Sequence, residues 1–206
     1  MKTSSVQLRC VPWLKGCQRR TYSQFGEDGL IAEALEHVGA NGRACFEVGA
    51  SDGTTFSNVR ALIEIGWSAC LIEHDAELHK QLVTLYGDNP RVSLSREWVL
   101  PWTIDDILDS AGLPEDLDLG VIDIDEQDFW LWAGMRRRPA LMLVEFAVGR
   151  SPWQLPRLRD DTAMPNPDKQ AGAERILELG RARGYVPIAQ TLCNLLFVRR
   201  ELLYAD

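Results

Sequence analysis

The sequence is short of the features that would name a partner at once. No apolar run approaches the length needed to cross a bilayer, so a membrane span is not expected. The N-terminus carries no apolar stretch of the kind that drives secretion, and a secretory leader is not expected either. Basic clustering is sparse. Arg136 to Arg138 is the compact basic run, and it reads as a solvated turn. With a formal net charge of −8 and a pI of about 5.0, a phosphate backbone is a poor partner, and nucleic-acid binding is not expected. The five cysteines (Cys10, Cys17, Cys45, Cys70, Cys193) are odd in number and scattered, which does not make a disulfide framework. Cys45 and Cys70 fall in apolar strand-like runs, where a thiol acts as a small hydrophobe, and a reducing cytoplasm suits the pattern. Cys10 and Cys17 lack the second Cys/His pair that a structural zinc would need.

What is present is enough for one well-buried domain: 206 residues, 46% of them hydrophobic. Residues 1–22 are mixed and basic and read as an extension or frayed arm, with a single domain over 23–206. From there strand and helix patterns alternate. Leu30, Ile31, Ala34, Leu35 and Val38 recur at helical spacing and stop at Gly39. Phe46 to Val48 is a strand, Phe56 to Ile63 a helix stopped by Gly66, "SACLIE" a strand, and Leu78, Leu82 and Leu85 a helix stopped by Gly87. "RVSLSREWV" is strand-like, and Thr103 with Asp106 forms a weak capping box for a short helix. "LGVIDID", "DFWLWAGM" and "ALMLVEFA" read as strand, helix and strand. After a Pro-rich stretch, "AERILELGRARG" is a helix, and "VPIAQTL" and "NLLFVRREL" are two strands close enough to form a hairpin. The expected fold is α/β: a mostly parallel seven-stranded sheet, helices on both faces and a C-terminal antiparallel hairpin.

Ligands of such sheets lie beyond the carboxyl ends of the strands. Those ends are acidic here: Glu47 to Gly53, Glu73 and His74, Glu97, Asp123 to Asp128, and Glu145. Gly49 and Gly53 flank the turn "GASDG". Glu73 follows Gly53 by 20 residues, where nucleotide-binding sheets keep a carboxylate for ribose hydroxyls. A dinucleotide site would show G-x-G-x-x-G, so that a pyrophosphate meets bare amides; in its place Asp52 would set a negative charge against the phosphates. A cationic, phosphate-free adenosine ligand suits these acids, and S-adenosylmethionine is such a ligand. The structural alternative, carboxylates favoured at a helix start, accounts for Asp52 but not for Glu47, which interrupts an apolar strand.

The order "EVGASDG", a glycine-stopped helix and then "LIEHD" resembles the class I S-adenosylmethionine-dependent methyltransferases, with their Rossmann-like fold. More narrowly, "YSQFGEDGLI" at 22–31, "SN" at 57–58, "GW" at 66–67, "VIDIDEQDFWLW" and "NLLFVRREL" resemble the blocks of FkbM-type methyltransferases over about residues 22–201. His74, Glu126 and "EFAVG" at 145–149 depart from that pattern. The resemblance implies methyl transfer, with Glu47, Gly49, Ser51, Asp52, Gly53, Glu73, Glu97 and Asp123 at the cofactor. The acceptor it implies is a hydroxyl on a small molecule such as a sugar or natural product. Two other readings stay open: a cofactor-binding accessory protein without catalysis, and a nicotinamide-dependent oxidoreductase. A homodimer is a further assembly such a domain could form.

Asp123 and Asp125 alternate along a strand pattern, which would point both to one face, with Asp128 one turn beyond. Such acids repel unless a proton or cation intervenes, and Mg2+ is a candidate on Asp123, Asp125 and Asp128. The alternative is that Asp128 caps the helix carrying Trp130. Candidate general bases are Asp125, His74 and Glu145. Trp130 and Trp132 fit either an acceptor pocket or the core. The segment 151–170, with Pro152, Pro156, Pro165 and Pro167, reads as a substrate lid.

Overall fold

A computed structural model describes residues 10–158 and 169–203. Seven strands form one sheet in the order β3-β2-β1-β4-β5-β7-β6. They are β1 (Ala44–Val48), β2 (Ser68–Ile72), β3 (Val92–Ser95), β4 (Leu119–Ile122), β5 (Leu141–Glu145), β6 (Tyr185–Gln190) and β7 (Asn194–Arg199). The first five are parallel, and β7 runs antiparallel to both β5 and β6. The two last strands do form the expected hairpin. Pro187, which cannot donate to a ladder, is tolerated on the edge strand at a register shift.

The helices are α1 (Glu27–His37), α2 (Arg60–Glu64), α3 (Ala76–Tyr86), α4 (Ile104–Ser110), α5 (Asp128–Gly134), α6 (Ala173–Ala182) and a short α7 (Arg200–Leu203). Strand alternation sorts the core into two layers. Phe46, Val48, Ile122, Met142 and Val144 pack under α4, α5 and α6 through Leu108, Leu131, Trp132 and Ile176. Cys45, Val121, Leu141 and Leu143 face the other way, under α1, α2 and α3 through Leu30, Ala34, Leu62 and Leu82. Central strands covered on both faces must be apolar at nearly every position, which is why "ALMLVEF" shows no alternation.

Trp132 is fully buried against Tyr185 and Phe197, with ring centroids 5.6 and 4.9 Å away, so it belongs to the core. Thr103 does stand before α4, but its hydroxyl turns back to Leu100 and makes no side-chain cap. The arm is not frayed over its described part. Val11 N donates to Ile188 O at 2.9 Å, Leu14 is fully buried, and the Trp13 ring stacks on His37 at 3.9 Å. Asp28 Oδ2 then accepts from the amides of Thr21, Tyr22 and Ser23, which fixes the approach to α1.

Candidate functional site

The strand order reverses direction between β1 and β4, and that is where a doubly wound sheet leaves a crevice. A cavity of about 290 Å³ opens there. Its walls are Ile72, Leu78, Trp98 and Val99; its acids are Glu73, Asp75, Glu97, Asp123 and Asp125. Among the described residues, no lysine or arginine lines it.

The ladders explain how the acids come together. Val48, Ile72, Ile122, Val144 and Leu195 are mutual register partners across five strands. One position further on stand Gly49, Glu73, Asp123, Glu145 and Asn194, still joined by backbone bonds such as Asp123 N to Val48 O. Being one step past residues of the α4–α6 layer, they share the face covered by α1 to α3. The gap in this row is Gly49. Its φ is +83°, and a Cβ there would lie 1.8 Å from the carbonyl oxygen of Asp123. The glycine therefore allows the β1 and β4 ends to close on each other.

Glu73 is buried and its carboxyl is held by two amides, Ser51 N at 3.0 Å and Asp75 N at 2.8 Å. His74 Nδ1 lies 3.3 Å from the same group, and the imidazole meets Trp98 edge-on at 4.5 Å. Glu97, on the exposed rim, accepts from Ser95 Oγ at 3.3 Å. Asp125 sits in the left-handed region at φ +67° on the exposed rim, and partial desolvation raises its pKa. Positive φ at a non-glycine residue is a conformation found disproportionately at functional sites.

Several of the expected cofactor residues lie off this cavity. Glu47 does not line it. It lies two residues before Gly49 and accepts from Ser57 Oγ and Asn58 N, both at 2.8 Å. Burial pushes its pKa up to about 7 against those stabilising bonds. Ser51, Asp52 and Gly53 also lie off the cavity wall, although the Ser51 amide supports Glu73. Asp52 faces a separate surface depression with Thr54, Gln81, Thr84 and Leu85. Partial burial works to raise its pKa, but bonds from Thr55 and Thr54 outweigh it and hold the group below the ordinary value. Gly53 makes room for α3, since a Cβ would meet Leu82 Cδ2 at 2.6 Å.

The magnesium expectation fails on geometry. β4 ends at Ile122, and the left-handed Asp125 begins a 3-10 turn, so the two-residue alternation breaks. Asp128 is fully buried under the loop, accepting from Ile124 N at 2.8 Å and Gln170 Nε2 at 3.3 Å. Among the described residues, no three acid, histidine or cysteine side chains are placed to hold a metal ion.

Beyond β4 and β5 the acids contact each other. Burial raises both Asp123 and Glu145, Glu145 the further; Asp125 and Glu27 add repulsion on Asp123, and Asp123 and Asp128 add it on Glu145. Gln170 Nε2 donates to Glu145. Glu27 and Asn194 join this group. Asn194 Nδ2 donates to Glu27 Oε1 at 3.3 Å, and Thr191 Oγ1 donates to it at 2.6 Å. Neither had been picked out individually, nor had Trp98. The signals were a lone asparagine opening an apolar strand and a tryptophan in a polar stretch. Trp130 donates its indole N–H to Pro156 O at 2.9 Å, anchoring the start of the proposed lid, of which residues 159–168 lie outside the described residues.

No protein-family model matches the sequence, and no curated protein matches it. Solved structures do match. The CMeT domain of the citrinin polyketide synthase aligns with TM-score 0.54 and 12% identity, over 84% of this chain and 51% of that one. The CurJ carbon methyltransferase gives 0.53 and 13%, over 84% and 52%. The N-terminal domain of EvdMO1, solved with SAH bound, gives 0.51 and 13%, over 84% and 80%. The chain thus spans about half the length of the first two. At these identities the likeness is one of architecture, and the architecture is the Rossmann-like methyltransferase fold with its C-terminal antiparallel hairpin.

Proposed function

We propose that the chain is an S-adenosylmethionine-dependent methyltransferase that acts on a hydroxyl of a small molecule. The observation that carries this is the cavity at the β1/β4 crossover: apolar walls, five carboxyl groups and no cation. At about 290 Å³ it is at the lower edge of small-ligand pockets, roughly 300–1,000 Å³. Such a lining repels phosphates and suits a phosphate-free nucleoside carrying a positive charge. The cofactor residues present fit that group. Glu73 is placed for ribose hydroxyls, Ile72, Leu78, Trp98 and Val99 for an adenine ring, and Asp123 for the cationic end. The bound cofactor would supply an electrophilic methyl group.

A nicotinamide dinucleotide fits less well. After β1 the chain runs through residues 49–59 before α2 begins at Arg60, so no helix N-terminus stands at the glycine turn to meet a pyrophosphate. The narrower assignment, oxygen as the methylated atom, rests on the resemblance to FkbM-type enzymes. Of the three candidate bases, Asp125 and His74 both line the cavity, and we take Asp125 as the base because partial desolvation raises its pKa. His74 is engaged with Glu73 and Trp98, and burial pushes the pKa of Glu145 well up.

Calorimetry decides the cofactor class. S-adenosylhomocysteine should bind and NAD should not; tighter NAD binding overturns the reading. Glu73→Ala should weaken S-adenosylhomocysteine by roughly 1.5–3 kcal/mol, the loss expected for bonds to a charged group.

A further inference from the structure

We infer that the carboxyl ends of β4 and β5 and the amino end of the antiparallel β7 form a subsite for a protonated amine, bounded by Asp123, Glu145, Asn194 and Glu27. This deepens the methyltransferase reading by naming what the acceptor carries.

Asn194 is directly opposite Glu145 in the β5/β7 pairing, on the same face of the sheet. It is 3% exposed, and its Oδ1 has no hydrogen-bond partner. A buried acceptor left unpaired is costly, roughly 1–3 kcal/mol, and normally marks a missing donor. Its other branch, Nδ2, already bonds Glu27. Around it the groups are again acceptors: Asp123, Glu145, Asp128 from α5, and Glu27 from α1, which adds to the repulsion on Asp123. The remaining neighbours are neutral: Gln170, Thr191 and the Cys193 thiol. The ion pairs among the described residues lie elsewhere, and none reaches these four acids. Those donors are already engaged with the carboxyls, so among the described residues the site offers neither a donor for Asn194 Oδ1 nor a positive charge. An ammonium supplies both, with N–H···O distances of roughly 2.7–3.0 Å that need no close metal cage.

Two amines could meet this requirement, the α-ammonium of the cofactor and an amine of the acceptor. Strand spacing favours the acceptor. At about 4.8 Å per strand, Glu145 lies two strands and Asn194 three strands beyond Gly49.

The test follows the side-chain amide resonance of Asn194, identified by its loss in Asn194→Ala. Ethylammonium and the neutral alcohol n-propanol are titrated into the free and the S-adenosylhomocysteine-loaded protein. Movement with ethylammonium and not with n-propanol, in either form, supports the subsite. S-adenosylhomocysteine and its desamino analogue identify the source. If the two bind equally, the amine is the acceptor's. If the analogue binds at least tenfold more weakly and fails to move the resonance while the parent moves it, the amine is the cofactor's. A resonance that no ammonium moves, or that n-propanol moves equally, overturns the inference. Failure of S-adenosylhomocysteine to bind at all would sink the cofactor reading, and the ethylammonium arm on the free protein would still decide the subsite.

Discussion

The two halves of the sheet's carboxyl edge treat the same chemical group differently. On the β1–β3 side each acid finds donors in its own loops. Glu73 holds the Ser51 and Asp75 amides, Asp52 holds Thr54 and Thr55, and Asp75 caps α3 through Glu77 N and Leu78 N. On the β4–β5–β7 side the acids crowd one another, and burial raises the pKa of both Asp123 and Glu145. The difference lies in what the loops offer. Residues 49–58 are rich in glycine and hydroxyls and turn their amides toward carboxyls, whereas residues 123–128 hold four acids of their own at a crowded strand end. A carboxylate with two amide donors stays charged in place; one without them takes a proton or a cation. The first half is thus preorganised, and the second is poised for a ligand.

The largest effect should come from the residue that joins the halves. Gly49→Ala combines a positive φ, about 1–2 kcal/mol, with overpacking against Asp123, about 1–3 kcal/mol. Urea unfolding should show a loss of roughly 3–5 kcal/mol, with cofactor affinity falling too. A loss below 1 kcal/mol would mean that β1 and β4 do not approach as described.

Glu47 is the exception on the donor-rich side, because burial outweighs its two bonds. Its folded-state pKa of about 7 lies above the ordinary 4.5, so the folded protein keeps the proton longer than the unfolded chain. Its contribution is complete below about pH 4.5 and is lost as the pH rises toward 7. At about 1.4 kcal/mol per unit, the fall should be roughly 3–4 kcal/mol. Glu47→Gln should flatten that part of the stability profile between pH 4.5 and 8 in denaturant titrations. An unchanged slope would place Glu47 among the ordinary acids.

The smallest effect should be at Asp52. Asp52→Ala removes a turn clasp and should cost about 1 kcal/mol of stability, while S-adenosylhomocysteine affinity measured by calorimetry stays within twofold. A tenfold loss of affinity would return Asp52 to the cofactor site and erase its separation from the cavity.

The sequence by itself determined the alternation of strands and helices, the terminal hairpin and the acid-rich strand ends. These are local matters: apolar period, glycine stops and the continuous apolar runs of strands covered on both faces. It also carried the cavity acids Glu73, Glu97, Asp123 and Asp125 as candidates. Only the tertiary structure decided which acids share a space. Glu47 and Asp52 are near Gly49 in the chain, yet one is sealed by Ser57 and Asn58 and the other turns to a different surface. Asp123, Glu145 and Asn194 are far apart in the chain and become neighbours through the order β4-β5-β7. The reason is physical. Periodicity reports which face a residue prefers within its own element. The partners of a carboxyl are set by strand order, register and single backbone angles such as φ +67° at Asp125, which arise only when the elements pack together.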